Sequence, residues 1–189
     1  DKINKEIIVR SAKEGEVLQA IDNKKYKLKK DMCVISDKSG VLGLGGIIGG
    51  TTTSTELETK NILLEAAYFS PSSIRKTAKA LNINTDAKYR FERGIDPNSI
   101  NEGLELATEL ILKICGGEAS KFQISGKTKQ KNKVINFQVE KFEKLIGISI
   151  TANEIVKILS SLGFKCKKSQ KSIKVEVPSW RPDVSLDED

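Results

Sequence analysis

The 189-residue chain contains no histidine. That removes the side chain most used as a general base and metal ligand, and with it any Ser-His or Cys-His nucleophile pair. Cysteine is scarce too: Cys33, Cys115 and Cys166 are odd in number, far apart and form no CxxC. A zinc site and a disulfide framework are both disfavoured, and the pattern fits small buried or half-buried thiols in a reducing cytosol. Aromatics make up only 5% of the chain, so its cores must rest on Ile, Leu, Val and Ala. No run approaches the roughly eighteen apolar residues that a membrane-spanning helix needs. The polar start, Asp1-Lys2-Ile3-Asn4-Lys5, carries no signal-peptide pattern. With no initiator Met and an acidic end that lacks a helix stop or turn, the chain reads as an excised piece of a longer protein.

What is present is uneven charge. The net charge is +7, yet Glu118 to Lys174 holds thirteen Lys and four Glu, a net of +9, leaving −2 elsewhere. A basic half can face RNA phosphates; a lysine-rich solvated surface accounts for the same count. The length allows one large domain or two small ones, and 38% hydrophobic residues suffice for compact cores.

The first third is strand-like. Ile7-Ile8-Val9, Val17 to Ile21, Tyr26-Lys27-Leu28 and Cys33-Val34-Ile35 are short β-prone runs, separated by turns at Asp22-Asn23 and Asp37 to Gly40. Asn61 to Tyr68, apolar on both faces apart from Glu65, predicts a central strand. Helices follow: one capped by Ser70-Pro71, a short one from Asp86, and a third from Asp96-Pro97 to Gly116-Gly117. Ser125 to Asn132 is polar and aperiodic, a linker. Beyond it come a strand over Val134 to Val139 and a helix over Val139 to Ile146. A helix over Ala152 to Leu162 follows, opened by a Thr151/Glu154 capping box, and then a hairpin of Lys165 to Lys168 with Ile173 to Val177. Two short helices and a hairpin suggest a winged-helix-like unit. The expected class is α+β, with a strand-rich mixed domain over residues 1–126 and a small winged-helix-like domain over 127–189.

Three pieces carry chemistry. The run Gly43-Leu44-Gly45-Gly46-Ile47-Ile48-Gly49-Gly50 lets backbone approach a ligand. It lacks the Gly-Lys-Ser/Thr of a phosphate loop, and as an isolated motif it reads as a tight turn between strands ahead of a ligand loop. Glu65, in Ile62-Leu63-Leu64-Glu65-Ala66-Ala67, is a carboxylate on a strand that reads as buried. It needs a partner, either a ligand or a salt bridge to Arg90 or Arg93. Asn84 to Pro97 (Asn-Thr-Asp-Ala-Lys-Tyr-Arg-Phe-Glu-Arg-Gly-Ile-Asp-Pro) opens a helix at Thr85-Asp86 and carries an arginine pair at i, i+3, read as structural ion pairing with Glu92 or Asp96. A fourth motif, Pro178-Ser179-Trp180-Arg181-Pro182-Asp183-Val184, closes the chain with Asp187-Glu188-Asp189.

The order and wording of these motifs resemble the beta-subunit family of bacterial phenylalanine–tRNA ligases along essentially the whole chain. The resemblance implies an editing module that hydrolyses tyrosine wrongly attached to the phenylalanine tRNA, followed by a winged-helix-like module. It implies an editing pocket of Gly46, Gly49, Glu65, Thr85 and Ala87. Glu65 would accept a hydrogen bond from the tyrosine hydroxyl, Thr85 would contact the substrate through its own hydroxyl, and Ala87 would stay small to admit the ring. The expected chemistry is attack of a positioned water on the aminoacyl ester, with backbone donors on the oxyanion. For the whole enzyme the resemblance implies ATP and Mg²⁺, an alpha subunit in a heterotetramer of two alpha and two beta, the phenylalanine tRNA, a cytoplasmic location and no membrane. Synthesis would lie on the alpha subunit, so this piece would not aminoacylate. Two family features are missing from the sequence. A histidine in a Gly-Gln-Pro-Leu/Met-His-Ala-Phe-Asp stretch would precede Asp1. Two glutamates would follow the acids at Asp183 and Asp189, so that metal binding by these two alone should be weak.

Overall fold

The computed structural model describes residues 2–126, 131–169 and 172–189 and falls into two units. Residues 1–95 with 100–118 form the first, and residues 96–99 with 119–189 the second. Four positions of the expected linker, 127–130, lie outside the described residues.

The first unit is built on an antiparallel sheet in the order β1-β4-β5-β6, from β1 (Ile8–Ser11), β4 (Cys33–Asp37), β5 (Gly40–Leu44) and β6 (Ile48–Gly49). A hairpin of β2 (Val17–Gln19) and β3 (Lys25–Lys27) joins it through an Ala20–Gly50 bridge, an Ile21 N–H to the Gly49 carbonyl and a Thr51 N–H to the Gln19 carbonyl. Period-two patterning drives the packing: Leu18, Leu28, Val34 and Leu44 are wholly buried, with Ile74 of the following helix among them. The glycine run is therefore more than a turn. Gly43 and Gly49 face each other in the β5–β6 ladder, and the chain reverses at Gly45-Gly46-Ile47 through an Ile47 N–H to Leu44 carbonyl bond of 3.0 Å.

Helix α1 (Pro71–Leu81) starts with Pro71 at its first position and ends at Asn82 in the left-handed region. Ser70 is its N-cap residue, but its hydroxyl meets Ser72 rather than a backbone N–H. Helix α2 (Asp86–Phe91) is capped by Thr85, and α3 (Ile100–Cys115) stops at Gly116 as expected. No residue of α3 is buried: Leu106, Leu110 and Ile114 are all more than half exposed.

One expectation is overturned. Asn61–Tyr68 is not a strand, and Ile62, Leu63, Leu64 and Glu65 are all exposed. Its β-prone composition measures fit to a half-buried pleated surface next to another strand. The sheet ends at β6, two residues long, and no strand pairs with this segment among the described residues.

The second unit combines β7 (Val134–Phe137), α4 (Val139–Ile146), α5 (Ala152–Ser161), β8 (Lys165–Lys168) and β9 (Ile173–Glu176), with the strands antiparallel in the order β7-β9-β8. The Thr151/Glu154 capping box is formed reciprocally. Ile155, Phe164, Ile173, Val175, Val177 and Val184 make the core. After β9, Trp180 lies over Gly163 and the Arg181 guanidinium sits 5.7 Å from the Phe164 ring centre. Lys141 of α4 ties down the end of the chain by ion pairs to Asp187 (3.0 Å) and Glu188. Helices beside a small antiparallel sheet make this an α+β chain.

Candidate functional site

A cavity of about 930 Å³ opens in the first unit. The β5–β6 hairpin forms one wall, the segment from Thr53 to Glu65 another, and the start of α2 a third, with Lys2, Ile3 and Ile7 at the side. Its volume is within the range of small-molecule sites. Gly46, Gly49, Glu65, Thr85 and Ala87, separated by up to 41 positions in sequence, all line it.

Each is held differently. Gly46 has a φ of +67°, and a Cβ there would fall 2.8 Å from Phe69, 2.9 Å from Ile74 and 3.2 Å from Phe91. Its small size serves the wall's packing; Phe69 and Phe91, edge to face with centres 5.3 Å apart, fill the place a side chain would take. Gly49 is the opposite case: a Cβ on it meets nothing within 4 Å, so any side chain would occupy open space.

Thr85 pins α2 to the glycine turn. Its hydroxyl donates to the Ile47 carbonyl at 2.7 Å and accepts from the Lys88 N–H at 3.1 Å. The single hydroxyl proton is thus committed within the protein. Thr85 contributes by fixing the wall, and Ala87 is exposed two residues further on, at the cavity.

Glu65 makes no hydrogen bond or ion pair among the described residues. The salt bridge open to it in the sequence is not formed: Arg93 stacks on Tyr89 at 3.6 Å and bonds Glu92 at 3.1 Å, and Arg90 makes no ion pair among the described residues. Nor is Glu65 sealed in a core, since the residue as a whole is exposed at the cavity's open side. The protein packed around its carboxyl is nonetheless enough to push its pKa above the ordinary value through desolvation. The Cys33 thiol is pushed up as well, first by burial and then by the Glu65 charge. The cavity therefore places one unpartnered, partly desolvated carboxylate against walls rich in isoleucine and leucine.

Several lining residues had no sequence signal. Ile21, Leu42, Thr53, Thr55 and Thr59 come from a turn, a strand and an irregular segment that only the fold brings together. Cys115, expected to be at least half-buried, is exposed, whereas Cys33 and Cys166 are half-buried as expected.

The acids near the end of the chain do not fit a magnesium site as they stand. Asp183 is held by Arg181 in a two-pronged contact at 2.9 and 2.8 Å, and Asp189 accepts the Ser185 and Leu186 N–H groups at 2.7 and 2.8 Å. No cluster of three or more His, Cys, Asp or Glu side chains able to hold a metal occurs among the described residues. No helix among them is long and apolar enough to cross a membrane.

A strand-rich unit with a carboxylate-bearing cavity beside a glycine hairpin, followed by a small helix-and-sheet unit, defines the class. The B3/4 domain model matches residues 1–116 and the tRNA synthetase B5 domain model residues 135–189. The chain belongs to the B3/4 domain family and, with the B5 domain that follows, to the beta-subunit family of phenylalanine–tRNA ligases. It is 40% identical over 183 residues to the "Phenylalanine--tRNA ligase beta subunit" of Mesorhizobium japonicum, covering 97% of this chain and 23% of that protein. The same-named proteins of Bartonella quintana and Ruegeria pomeroyi are each 42% identical, over 98% and 100% of this chain and 23% of theirs. The chain thus spans about a quarter of the length of these relatives. Among solved structures, an N-terminal fragment of the phenylalanyl-tRNA synthetase beta subunit from Pyrococcus horikoshii aligns at a TM-score of 0.42 and 16% identity, over 98% of this chain and 54% of that one.

Proposed function

We propose that the chain is the editing portion of a phenylalanine–tRNA ligase beta subunit, and that its cavity hydrolyses tyrosine wrongly attached to the phenylalanine tRNA. The observation that carries this reading is Glu65, a carboxyl without a protein partner among the described residues, lining a largely apolar cavity. Such a group gains most from a ligand that brings its own hydroxyl donor. Tyrosine does so and phenylalanine does not, and a site built around a hydroxyl rejects the analogue lacking it by on the order of 10⁴-fold. Gly49 and Ala87 leave room for the ring, while Gly46 and Thr85 hold the wall. Water adds to the ester carbonyl, backbone N–H groups steady the oxyanion, and the bond to the terminal ribose oxygen breaks, returning that oxygen as a hydroxyl. The free terminal hydroxyl of the tRNA, beside the esterified one, assists.

In this reading the editing domain covers residues 1–126 and the winged-helix-like domain 127–189. The whole enzyme, in the cytoplasm, joins phenylalanine to its tRNA with ATP and Mg²⁺, as two beta subunits with two alpha subunits. Asp183 and Asp189 would reach a metal only in the longer protein, after giving up their present partners. A non-catalytic role, as scaffold or nucleic-acid-binding module for subunit assembly and tRNA docking, is the second reading, its assembly part favoured by the exposed apolar face of α3.

The test is deacylation of tyrosine-charged phenylalanine tRNA by the chain, by the chain extended upstream through the histidine segment, and by the extended Glu65→Ala variant. Hydrolysis by the extended form that falls by roughly 10- to 150-fold without Glu65, the worth of one hydrogen bond to a charged group, supports editing. No hydrolysis by the extended form or by the two-subunit enzyme leaves the assembly role.

A further inference from the structure

The outward face of the second unit's sheet carries a charge arrangement that folding does not require. β8 and β9 set Lys167 directly opposite Lys174, and like charges facing each other across antiparallel strands weaken the pairing. The nearest acid, Glu176 on the same face, reaches Lys167 only through space and makes no ion pair with it. Glu176 is taken by the Asn132 amide at 2.9 Å and by Lys165 at 3.6 Å. Neither Lys167 nor Lys174 makes an ion pair among the described residues, and both are exposed.

Alternation fixes which way these side chains point. Ile135, Ile173 and Val175 pack into the core, so Lys165, Lys167 and Lys174 share the opposite face with Val134 and Asn136 of β7. Lysines two apart on a strand are spaced about 6.5–7 Å, and a directly opposed pair about 5 Å. The result is a small open platform of ammonium groups with Glu176 at one edge, whose central pair makes no ion pair among the described residues; its lysines lie within, and Glu176 just beyond, the stretch that carries the +9 excess.

We infer that this sheet face docks an RNA backbone, with Lys167 and Lys174 as paired phosphate ligands and Lys165 and Asn136 at their flanks. An unpaired ammonium pair is complementary to phosphate, and the like-charge cost is recovered when a phosphate lies between the two. Lysines of this kind position a backbone without reading its sequence. The choice of RNA over other polyanions rests on the proposed function, which gives this chain a tRNA to hold.

The experiment measures binding of the 189-residue chain to a phenylalanine tRNA transcript by fluorescence anisotropy, from about 50 to 200 mM salt. The Lys167→Gln/Lys174→Gln variant is compared with Lys76→Gln/Lys79→Gln, which removes the same charge from exposed positions of α1. The sheet variant is expected to weaken binding by about tenfold and to reduce the slope of log affinity against log salt by about 1, for the phosphate that the two lysines share. The α1 variant should change affinity by less than about threefold. Equal losses from both variants, or no binding by the unaltered chain, overturn the inference. Duplex DNA of matched phosphate count bound as tightly through the same lysines overturns the assignment to RNA. Intact binding without deacylation by the extended form sinks the editing reading alone, and deacylation with binding indifferent to the two lysines sinks this inference alone.

Discussion

Replacing Gly46 and Gly49 separately by alanine distinguishes a glycine needed for folding from one needed for space. At Gly46 the φ of +67° costs an L side chain about 1–2 kcal/mol. The added methyl would also come within 2.9 Å of two side chains, Phe69 and Ile74, one of them wholly buried. Overpacking of that kind costs about 1–3 kcal/mol, so Gly46→Ala should lose about 2–5 kcal/mol, a large part of a typical domain's 5–15 kcal/mol. Gly49 has no positive φ, and its added methyl meets nothing within 4 Å. Gly49→Ala should leave stability unchanged or raise it by about 0.4–1 kcal/mol through the unfolded chain, while Gly49→Trp should fold and fill the cavity. The assay is urea unfolding of the chain followed by far-ultraviolet circular dichroism, with tyrosine deacylation measured on the upstream-extended form. A Gly46→Ala midpoint matching the unaltered chain would refute the packing argument. Full deacylation by Gly49→Trp would refute the placement of substrate against β6.

Thr85→Val keeps the shape of the side chain but removes both hydroxyl bonds; it should cost about 1–2 kcal/mol in the same unfolding assay. Glu16 is held down to about 2 by the two-pronged Arg10 contact at 2.8 and 2.9 Å. Because its folded pKa lies below the ordinary 4.5, its stabilisation is complete above pH 4.5 and is lost as pH falls from there toward 2. The pair is partly solvent-screened, which leaves about 1–2 kcal/mol, and Glu16→Gln should remove that amount at neutral pH and flatten stability between pH 5 and 2. Glu65 has the opposite sign: its raised pKa costs stability as pH rises from its ordinary value through its folded one, so Glu65→Gln should raise the melting temperature at neutral pH. Gly163→Ala, at a φ of +86° with Trp180 2.8 Å from the new methyl, should cost about 1–2 kcal/mol and red-shift the fluorescence of the only tryptophan.

The helices were legible because their signals are local. A cap residue, a Pro at the first turn and a glycine stop act within a few positions, and α1, α2, α3 and α5 begin and end close to where those signals lie. Strands depend on a partner. The run Ile62-Leu63-Leu64 has the composition of a central strand and is not one, while Gly40–Leu44, with two glycines in five residues, is a strand because β4 lies beside it. Composition at these two places pointed the wrong way, since what decides is which chain segment presents free N–H and C=O groups alongside.

The candidate site divides along the same line. Its five marked residues are implied by the family resemblance; by type alone only the carboxylate, the glycine run and the helix cap stand out. That they share a cavity follows from the fold, and so does each one's task. Thr85 acts as an anchor because its hydroxyl donates a hydrogen bond to the Ile47 carbonyl, 38 positions away. Of the two partners open to Glu65 in the sequence, the arginine is absent among the described residues, Arg93 being folded back on Tyr89. The two placements act together. An anchored Thr85 fixes the α2 wall, and a Glu65 free of arginine leaves its carboxyl open to the substrate hydroxyl of the proposed function. In the proposed editing reaction no arginine stands ready to satisfy Glu65 when a ring without a hydroxyl occupies the cavity, so its carboxyl would then lack the donor that tyrosine supplies.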